Sequence, residues 1–548
     1  VTWAHPFKKQ VTNWSRFQEI LSTLAKHGLS AWLEETDLPL PKGMKRSSPP
    51  DEESIPVHLR QSFEELGPTF IKLGQILSTR PDLLPKEYIE EFSKLTDQIP
   101  SLDFSEVRAR VEEELGRNID EVFESFDEEP LAAASISQVH RARLWDGEKM
   151  KRVVVKVQRP HIEKDIQSDI QILYFVASAL ERFGKQFRLY NLTGIVEEFQ
   201  RSIYEELDFS LEAKNIEAFS QNSKDLSGIV VPQVIWSLSS KRVLTMSELP
   251  GTPLSRIKEF PPMIDRPFLA EAVAQFFLEG IFLNGLFHCD AHSGNLLINL
   301  EGRGEVGIVD FGMVGRLSPE LRDKLARLFL SLVTQDYQTL VRLYTEIADF
   351  GERFNLRDFK RDVERLLQPN LGRPLKEVDV GKMMMDSVQL ARKYQIRLPK
   401  DLILFYRSLA TLEHICRRLD PNFTFIQFGS RFSKLLIRRK FTVESISKDF
   451  LRMVDGLRSL SSDLPLQLKH LLTKLEENSL FPQLTGIEKA LERYEQSQLA
   501  LSASVIFSGM LIGASITSAV SPQSWLVWVL WPLALAFGGY ALSLFRRR

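Results

Sequence analysis

The residues best placed to do chemistry are the run His288-Cys289-Asp290-Ala291-His292-Ser293-Gly294-Asn295 and, further on, Asp310-Phe311-Gly312. An acid, a downstream amide and a second acid opening an Asp-Phe-Gly turn form the pattern of a phosphoryl-transfer site. In that pattern Asp290 orients or deprotonates a hydroxyl acceptor, while Asn295 and Asp310 hold the Mg2+ ions that bridge nucleotide phosphates. Each piece alone is ordinary, since Asp and Gly are common turn residues. The weight lies in their order.

That order is produced by the elements around them. An apolar helical run over residues 270–287 leads into the loop, and a short strand, Leu296-Leu297-Ile298, follows it. Gly302-Arg303-Gly304 then turns the chain into a second strand at 306–309, which delivers Asp310. His288 and His292 on either side of Asp290 also fit a metal-dependent hydrolase, but no further His or Cys cluster stands at ligand spacing nearby. The imidazoles are therefore expected to shape the loop by hydrogen bonding, and Cys289 to fill a position that needs a small side chain.

Upstream the pattern has period two. Residues 131–142 read as strand, loop, strand around Ala132, Ala133, Ala134 and Ser135, and a turn at Asp146-Gly147 precedes Val153-Val154-Val155-Lys156-Val157. A lysine emerging from such a strand needs a counter-charge or an anionic ligand, because burying an unpaired ammonium is costly. Glu212 is available, in a long helical region that includes Glu205 through Glu212. Residues 243–247 make a further strand, and Glu248-Leu249-Pro250-Gly251 leaves it as a hinge between two lobes, with Glu248 counted among the nucleotide-contacting residues. Earlier, Gly67-Pro68 opens a helix in which Phe70, Leu73 and Leu77 form the buried stripe. Lys72, Gln75 and Thr79 share another face, which composition alone reads as solvated.

At 548 residues and 43% hydrophobic content the chain can hold several domains with real cores. A net charge of −2 does not point to nucleic acid as a partner. Cys289 and Cys416 supply no disulfide framework, which suits a reducing cytoplasm, and the start of the sequence lacks the pattern of a secretory signal. Residues 499–520 and 525–545 are charge-free and apolar, each matching the ~20 residues that span a bilayer core. Only Ser521-Pro522-Gln523-Ser524 lies between them, so a transmembrane helical hairpin is expected, with Trp525, Trp528 and Trp531 near an interface. Lys489 and Arg493 before it and Arg546-Arg547-Arg548 after it place both ends in the cytoplasm, at the inner membrane of a cell. Gly509-x-x-x-Gly513 permits close helix packing and a homodimer.

The expected segments are an N-terminal helix (13–35) and linker within 1–56, a helical extension at 57–125, a strand-rich lobe at 126–250 and a helical lobe at 251–440. In the last of these, helices fit 320–350, 357–368, 379–395 and 400–418. Amphipathic helices at 441–498 and the two spans at 499–545 complete the chain.

Together these motifs resemble those of the UbiB family, also called ABC1, of atypical protein-kinase-like proteins, over nearly the whole chain. Lys72-Leu73-Gly74-Gln75 matches the family's Lys-x-Gly-Gln motif, and Ala132-Ala133-Ala134-Ser135 matches the alanine-rich loop that stands where a typical kinase has glycines. Lys156 matches the strand lysine, Glu212 the helix glutamate, and Glu206 with Asp208 the Glu-x-Asp motif. His288, Asp290, His292, Gly294 and Asn295 match the catalytic loop, and Asp310-Phe311-Gly312 the metal turn. The resemblance implies an α+β, two-lobed kinase-like fold with an N-terminal helical extension, and ATP or ADP with Mg2+ as cofactors. Alanine methyls restrict a backbone that glycine would leave free, so the nucleotide pose should differ from that of a typical kinase. The family pattern also implies that the helix carrying Lys72 and Gln75 folds over the site as a regulatory element with Glu206 and Asp208, in the space a protein substrate would need. ATP hydrolysis or action on a small lipid-like molecule is then expected in place of peptide phosphorylation. The implied role is support of ubiquinone or other isoprenoid quinone biosynthesis, with membrane lipids, quinone precursors and biosynthetic enzymes as partners. A small-molecule or lipid kinase and a non-enzymatic, nucleotide-gated scaffold need the same pocket, so sequence does not separate these readings.

Overall fold

The computed structural model describes residues 13–29, 55–80, 83–95, 100–145, 147–183, 191–334, 336–347, 356–367, 379–394, 396, 398–440, 507–515, 518, 529–536, 538 and 539. The chain divides into two units, 1–436 and 437–548.

The first helix, α1 (Trp14–Leu24), is capped by Asn13, whose side chain accepts from the Arg16 amide, and buries Phe17, Ile20 and Leu21. The amphipathic helix expected within residues 13–35 is present as α1. A π turn follows, in which Gly28 at φ 85° redirects the chain. Next come α2 (Ile55–Leu66), α3 (Pro68–Ser78) and α4 (Lys86–Phe92). Gly67 at φ 93° makes the corner between α2 and α3, and the Phe63 ring packs against Phe70 and Phe92 at 5.9 and 5.3 Å.

After α5 (Phe104–Leu115) and the short α6 (Ile119–Val122), the strands β1 (Ser125–Phe126), β2 (Ala132–Ala133), β3 (Ser137–Trp145) and β4 (Met150–Gln158) begin an antiparallel sheet. Its order is β1-β3-β4-β6, with β2 pairing β3, and β6 (Val243–Ser247) arriving after three helices. Those helices are α7 (Ile162–Phe183), α8 (Leu192–Leu207) and α9 (Phe209–Asn222). Val153, Val155 and Val157 of β4 join Val107 and Val111 of α5 in a small core on one face of the sheet, while Val154 belongs to the main core on the other. Alternation along a strand therefore sends Lys156 toward the main core.

The sequence-expected helical region through Glu205 and Glu212 is interrupted. Asp208 closes α8 and its side chain caps α9 by accepting from the Ser210 amide at 3.0 Å. A capping carboxylate competes with helix continuation through its own side chain, and hydrophobic period alone did not register that.

The second lobe opens with β5 (Ile229–Val230), β7 (Thr252–Pro253) and α10 (Arg266–Glu279). The expected helix over 270–287 ends early: a π turn (Gly280–Asn284) and Gly285 at φ 66° give way to β8 (Leu286–His288). Both ends of the run are buried, so the apolar pattern was the same for helix and strand. The strands β9 (Leu296–Asn299) and β10 (Glu305–Ile308) pair antiparallel, and β11 (Val314–Arg316) pairs β8. The expected helix over 320–350 is two, α11 (Pro319–Val333) and α12 (Tyr337–Ile347), because Asp336 accepts from the Thr339 amide and caps the second. Then come α13 (Leu356–Leu367), α14 (Val380–Lys393), α15 (Lys400–Leu419) and α16 (Phe425–Lys440).

Gly381 lets α14 and α15 touch. A Cβ there would stand 2.6 Å from the Ala410 Cα, and the Gly381 amide donates to buried Glu413 at 2.8 Å. Gly381→Ala is expected to destabilise the protein by about 1–3 kcal/mol through overpacking, read as a lower urea midpoint. An unchanged midpoint would mean that the helices part without cost.

Among the described residues no helix is long and apolar enough to cross a membrane. The expected transmembrane hairpin is thus not supported by the fold. Its two stretches are helical where described, at 507–515, 518, 529–536, 538 and 539. Phe507 lies against Gly538, and Trp531 donates to Ser518 at 3.1 Å, which pairs these pieces in antiparallel order. The amphipathic helices expected at 441–498 lie outside the described residues.

Candidate functional site

Lys156 sits in the middle of β4 between Val139 of β3 and Leu244 of β6. On the face where α9 packs, its Nζ lies 2.8 Å from Glu212 Oε2 and 5.3 Å from the centre of the Phe209 ring. Burial favours the neutral amine, but the carboxylates of Glu212, Asp310 and Glu206 outweigh it and raise the lysine pKa above its ordinary value. Glu212 is itself pushed up by burial, with Lys156 opposing, so its ionised form depends on that ammonium. Its other oxygen, Oε1, is buried and has no hydrogen-bond partner among the described residues.

The same helix reaches the Asp-Phe-Gly turn. Asn215 donates through Nδ2 to the Phe311 carbonyl at 3.1 Å, and Phe219 packs on the buried Phe311 ring at 5.0 Å. Glu212, Asn215 and Phe219 follow one another at helical spacing, so one face of α9 holds both Lys156 and the turn. Asn215 and Phe219 escaped the sequence reading, although their spacing from Glu212 was a usable signal.

Asp310 adopts φ 64°, a region that Asp tolerates better than most side chains. Its carboxylate accepts from the Gly312 amide at 3.2 Å. The residue is open to water yet lies deep among protein atoms. Enclosure pushes its pKa up; Lys156, Lys72 and the Gly312 amide outweigh this and hold it at about 2. The group is a full anion at neutral pH.

In the loop before it, His288 Nδ1 accepts from the Asp290 amide at 3.2 Å and His292 Nδ1 from the Gly294 amide at 3.0 Å. The imidazoles shape the loop, as their hydrogen-bonding reading expected. His288 is buried, which lowers its pKa and favours the neutral ring. Cys289 is buried as well. Among the described residues no group of three His, Cys, Asp or Glu stands ready to hold a metal. Asn295 donates Nδ2 to the Asp290 carbonyl at 3.1 Å, leaving its Oδ1 as the amide atom available to a cation. Asp310 and Asn295 are hard oxygen donors of the kind Mg2+ takes alongside phosphate and water.

Two further residues come from α15. Ser408 Oγ donates to the His288 carbonyl at 3.1 Å, and Arg407 Nη2 stands 3.6 Å from Asp290 Oδ1. No local pattern marked either one.

Helix α3 is docked on α8 by two ion pairs, Lys72 to Glu206 at 2.5 Å and Arg80 to Glu198 at 2.6 Å. Lys72 is also among the cations that hold Asp310 ionised. The face expected to be solvated is therefore covered: the Lys72 side chain is 12% exposed and Thr79 is buried. Gln75 donates to the Leu95 carbonyl at 3.3 Å, and Gly74 admits the side chains of Leu95 and Phe63 against the helix.

The remaining site candidates are distributed around this centre. Ala132 and Ala133 pair with Val139 and Gln138 of β3, which puts them one strand from Lys156. The Ala134 amide donates to the Ser137 carbonyl at 2.8 Å, and Ser135 Oγ is buried with no hydrogen-bond partner among the described residues. Two candidates are committed elsewhere. Asp208 caps α9, and the Glu248 carboxylate binds Arg141 and Arg152 at 2.8 and 3.5 Å.

Residues 94–344 match the family model for the ABC1 atypical kinase-like domain, and residues 363–424 match that for the UbiB helical domain. The chain is 31% identical over 489 residues to a probable protein kinase UbiB of Azotobacter vinelandii, covering 89% of this chain and 88% of that protein. A probable protein kinase UbiB of Pseudomonas putida is 31% identical over 497 residues, 90% of each chain. An uncharacterized protein of Synechocystis is 30% identical over 464 residues, 84% of this chain and 79% of that one. With its strand lysine and helix glutamate paired and Asp310 of the Asp-Phe-Gly turn in their electrostatic reach, the chain has an atypical protein-kinase-like fold and belongs to the UbiB family.

Proposed function

We propose that this protein is a membrane-associated, kinase-like ATPase that binds Mg2+ with ATP or ADP. Slow hydrolysis would serve the handling of isoprenoid quinone precursors for ubiquinone or a related quinone. What carries the reading is the charge arrangement: Lys156 is paired with Glu212 in the electrostatic reach of Asp310, while α3 sets Lys72 over the same acids through Glu206.

Bound Mg2+-nucleotide supplies the phosphoanhydride and the Lewis acidity that neutralises its charge. The protein's part is positional. Lys156 would hold the phosphates, Asp310 and Asn295 would offer oxygens to Mg2+, and Ser135 Oγ with the main chain of Ala132, Ala133 and Ala134 would cover the nucleotide. Asp290, steadied by Arg407, orients a water or a hydroxyl. Helix α3, docked on α8 with Lys72 in the electrostatic reach of Asp310, would crowd an extended peptide, which favours a small or lipid acceptor. The apolar stretches at 499–520 and 525–545, with Ile512 and Leu535 exposed at 60 and 69%, suit a bilayer anchor that keeps the site near polyprenylated substrates.

The test is phosphate release by the purified full chain with Mg2+-ATP, with and without vesicles containing quinone-precursor analogues. Release that rises several-fold with vesicles and analogue is expected. A phosphorylated analogue would establish the lipid-kinase alternative. Nucleotide binding with no release in any condition would overturn the ATPase reading in favour of a nucleotide-gated scaffold.

A further inference from the structure

Next to the loop that carries Asp290 lies a cavity of about 920 Å³ formed by segment 255–260, the start of α10 and the end of α15. Four cationic side chains line it, Arg256, Lys258, Arg266 and Arg418, against one carboxylate, Glu259. Two of the guanidiniums are held in place. Arg266 donates to the Leu419 carbonyl at 2.6 Å and lies 4.8 Å from the centre of the Phe260 ring, and Arg418 donates to the Ser255 carbonyl at 3.0 Å. Arg256 and Lys258 are exposed, and among the described residues their charged ends have no hydrogen bond or ion pair.

Like charges gathered around one concavity repel each other and concentrate a positive field in it, so the arrangement favours an anion. Guanidinium forks fit the oxygens of a phosphate, and a lysine adds a mobile point charge. The same loop carries an apolar element, Met263, which is 66% exposed. Cations and an exposed apolar side chain on one loop suit a phosphate group attached to an amphiphile.

We propose that this cavity binds a phosphate group, carried either by a lipid headgroup or by free phosphate. The site is tied to the catalytic loop: the Ser255 amide donates to the Ser293 carbonyl at 3.0 Å, between Asp290 and Asn295, and Arg418 holds the other side of Ser255. Arg407 and Ser408 of the same helix reach that loop as well.

The experiment compares the full chain with Arg256→Ala/Lys258→Ala in neutral detergent micelles, with Mg2+-ADP present. Calorimetric titrations use micelles doped with phosphatidylglycerol, micelles doped with phosphatidylcholine, and inorganic phosphate. Circular dichroism checks that the variant is folded, which the exposure of both side chains favours. Loss of two cations is expected to weaken binding about 30-fold. If phosphatidylglycerol alone shows this loss, the ligand is a lipid headgroup; if inorganic phosphate shows it too, free phosphate is sufficient. Equal affinity of the two proteins for every phosphate probe, or no binding by the wild type, overturns the proposal.

Discussion

Asp310→Asn is expected to lower Mg2+-ATP turnover by about 10²–10³-fold while leaving the fold intact. The substitution is nearly isosteric, and asparagine tolerates the φ of 64° that the turn requires. Its amide oxygen can still accept from the Gly312 amide that now bonds Asp310 at 3.2 Å. What is lost is charge. The carboxyl is held at about 2 and is an anion throughout the neutral range, whereas the amide is neutral and a weaker ligand for a hard cation. Phosphate release and Mg2+-dependent nucleotide binding should fall together with an unchanged circular dichroism spectrum. Turnover equal to wild type would remove Asp310 from the site. The depressed pKa also sets an acid limb for stability: from an ordinary value of 3.8, the contribution is present above that pH and is lost as pH falls through about 2. The variant should lack that limb.

Lys156→Met should cost more stability than Glu212→Gln, although the two residues form one ion pair. The lysine interacts with the acids Glu212, Asp310 and Glu206. Removing it leaves Glu212 buried without its counter-charge, at a cost of about 3–5 kcal/mol. Removing Glu212 leaves the ammonium with two other acids and the amide as a hydrogen-bond acceptor, at about 1.5–3 kcal/mol. Urea unfolding at neutral pH measures both. The Met variant should recover part of its deficit as pH is lowered, because carboxyls deprived of the lysine have raised folded-state pKa values and protonation relieves them. Equal losses, or a deficit that grows on acidification, would show that the acids do not act on Lys156 as a group. Both variants should lose turnover, so stability is the discriminating readout.

How much of this was legible from the chain depends on how far each interaction reaches. The 288–295 loop and the Asp-Phe-Gly turn were readable as local elements because a few consecutive residues form them. Backbone amides from those same residues then shape them, as with His288 on Asp290 and Asp310 on Gly312. Strand β4 was readable because its β-branched run contains a single lysine. Helix ends were not, at Asp208 and Asp336, where one capping carboxylate outweighs a continuing hydrophobic period. The apolar run into His288 also hid a change from helix to strand, since both forms are buried.

Residue types and spacing thus determined which groups could handle a phosphate and, through the family resemblance, the kind of fold that would present them. The pairing of Lys156 with Glu212 across 56 positions was expected from the sequence and is formed; the tertiary structure alone supplied the ion pair of Lys72 with Glu206 and set Arg407 beside Asp290. It also turned a face of α3 that composition assigned to water into a covered one. The physical reason is that hydropathy records only the cost of removing a charge from water, and the compensating charge comes from a part of the chain that folding alone brings within 4 Å.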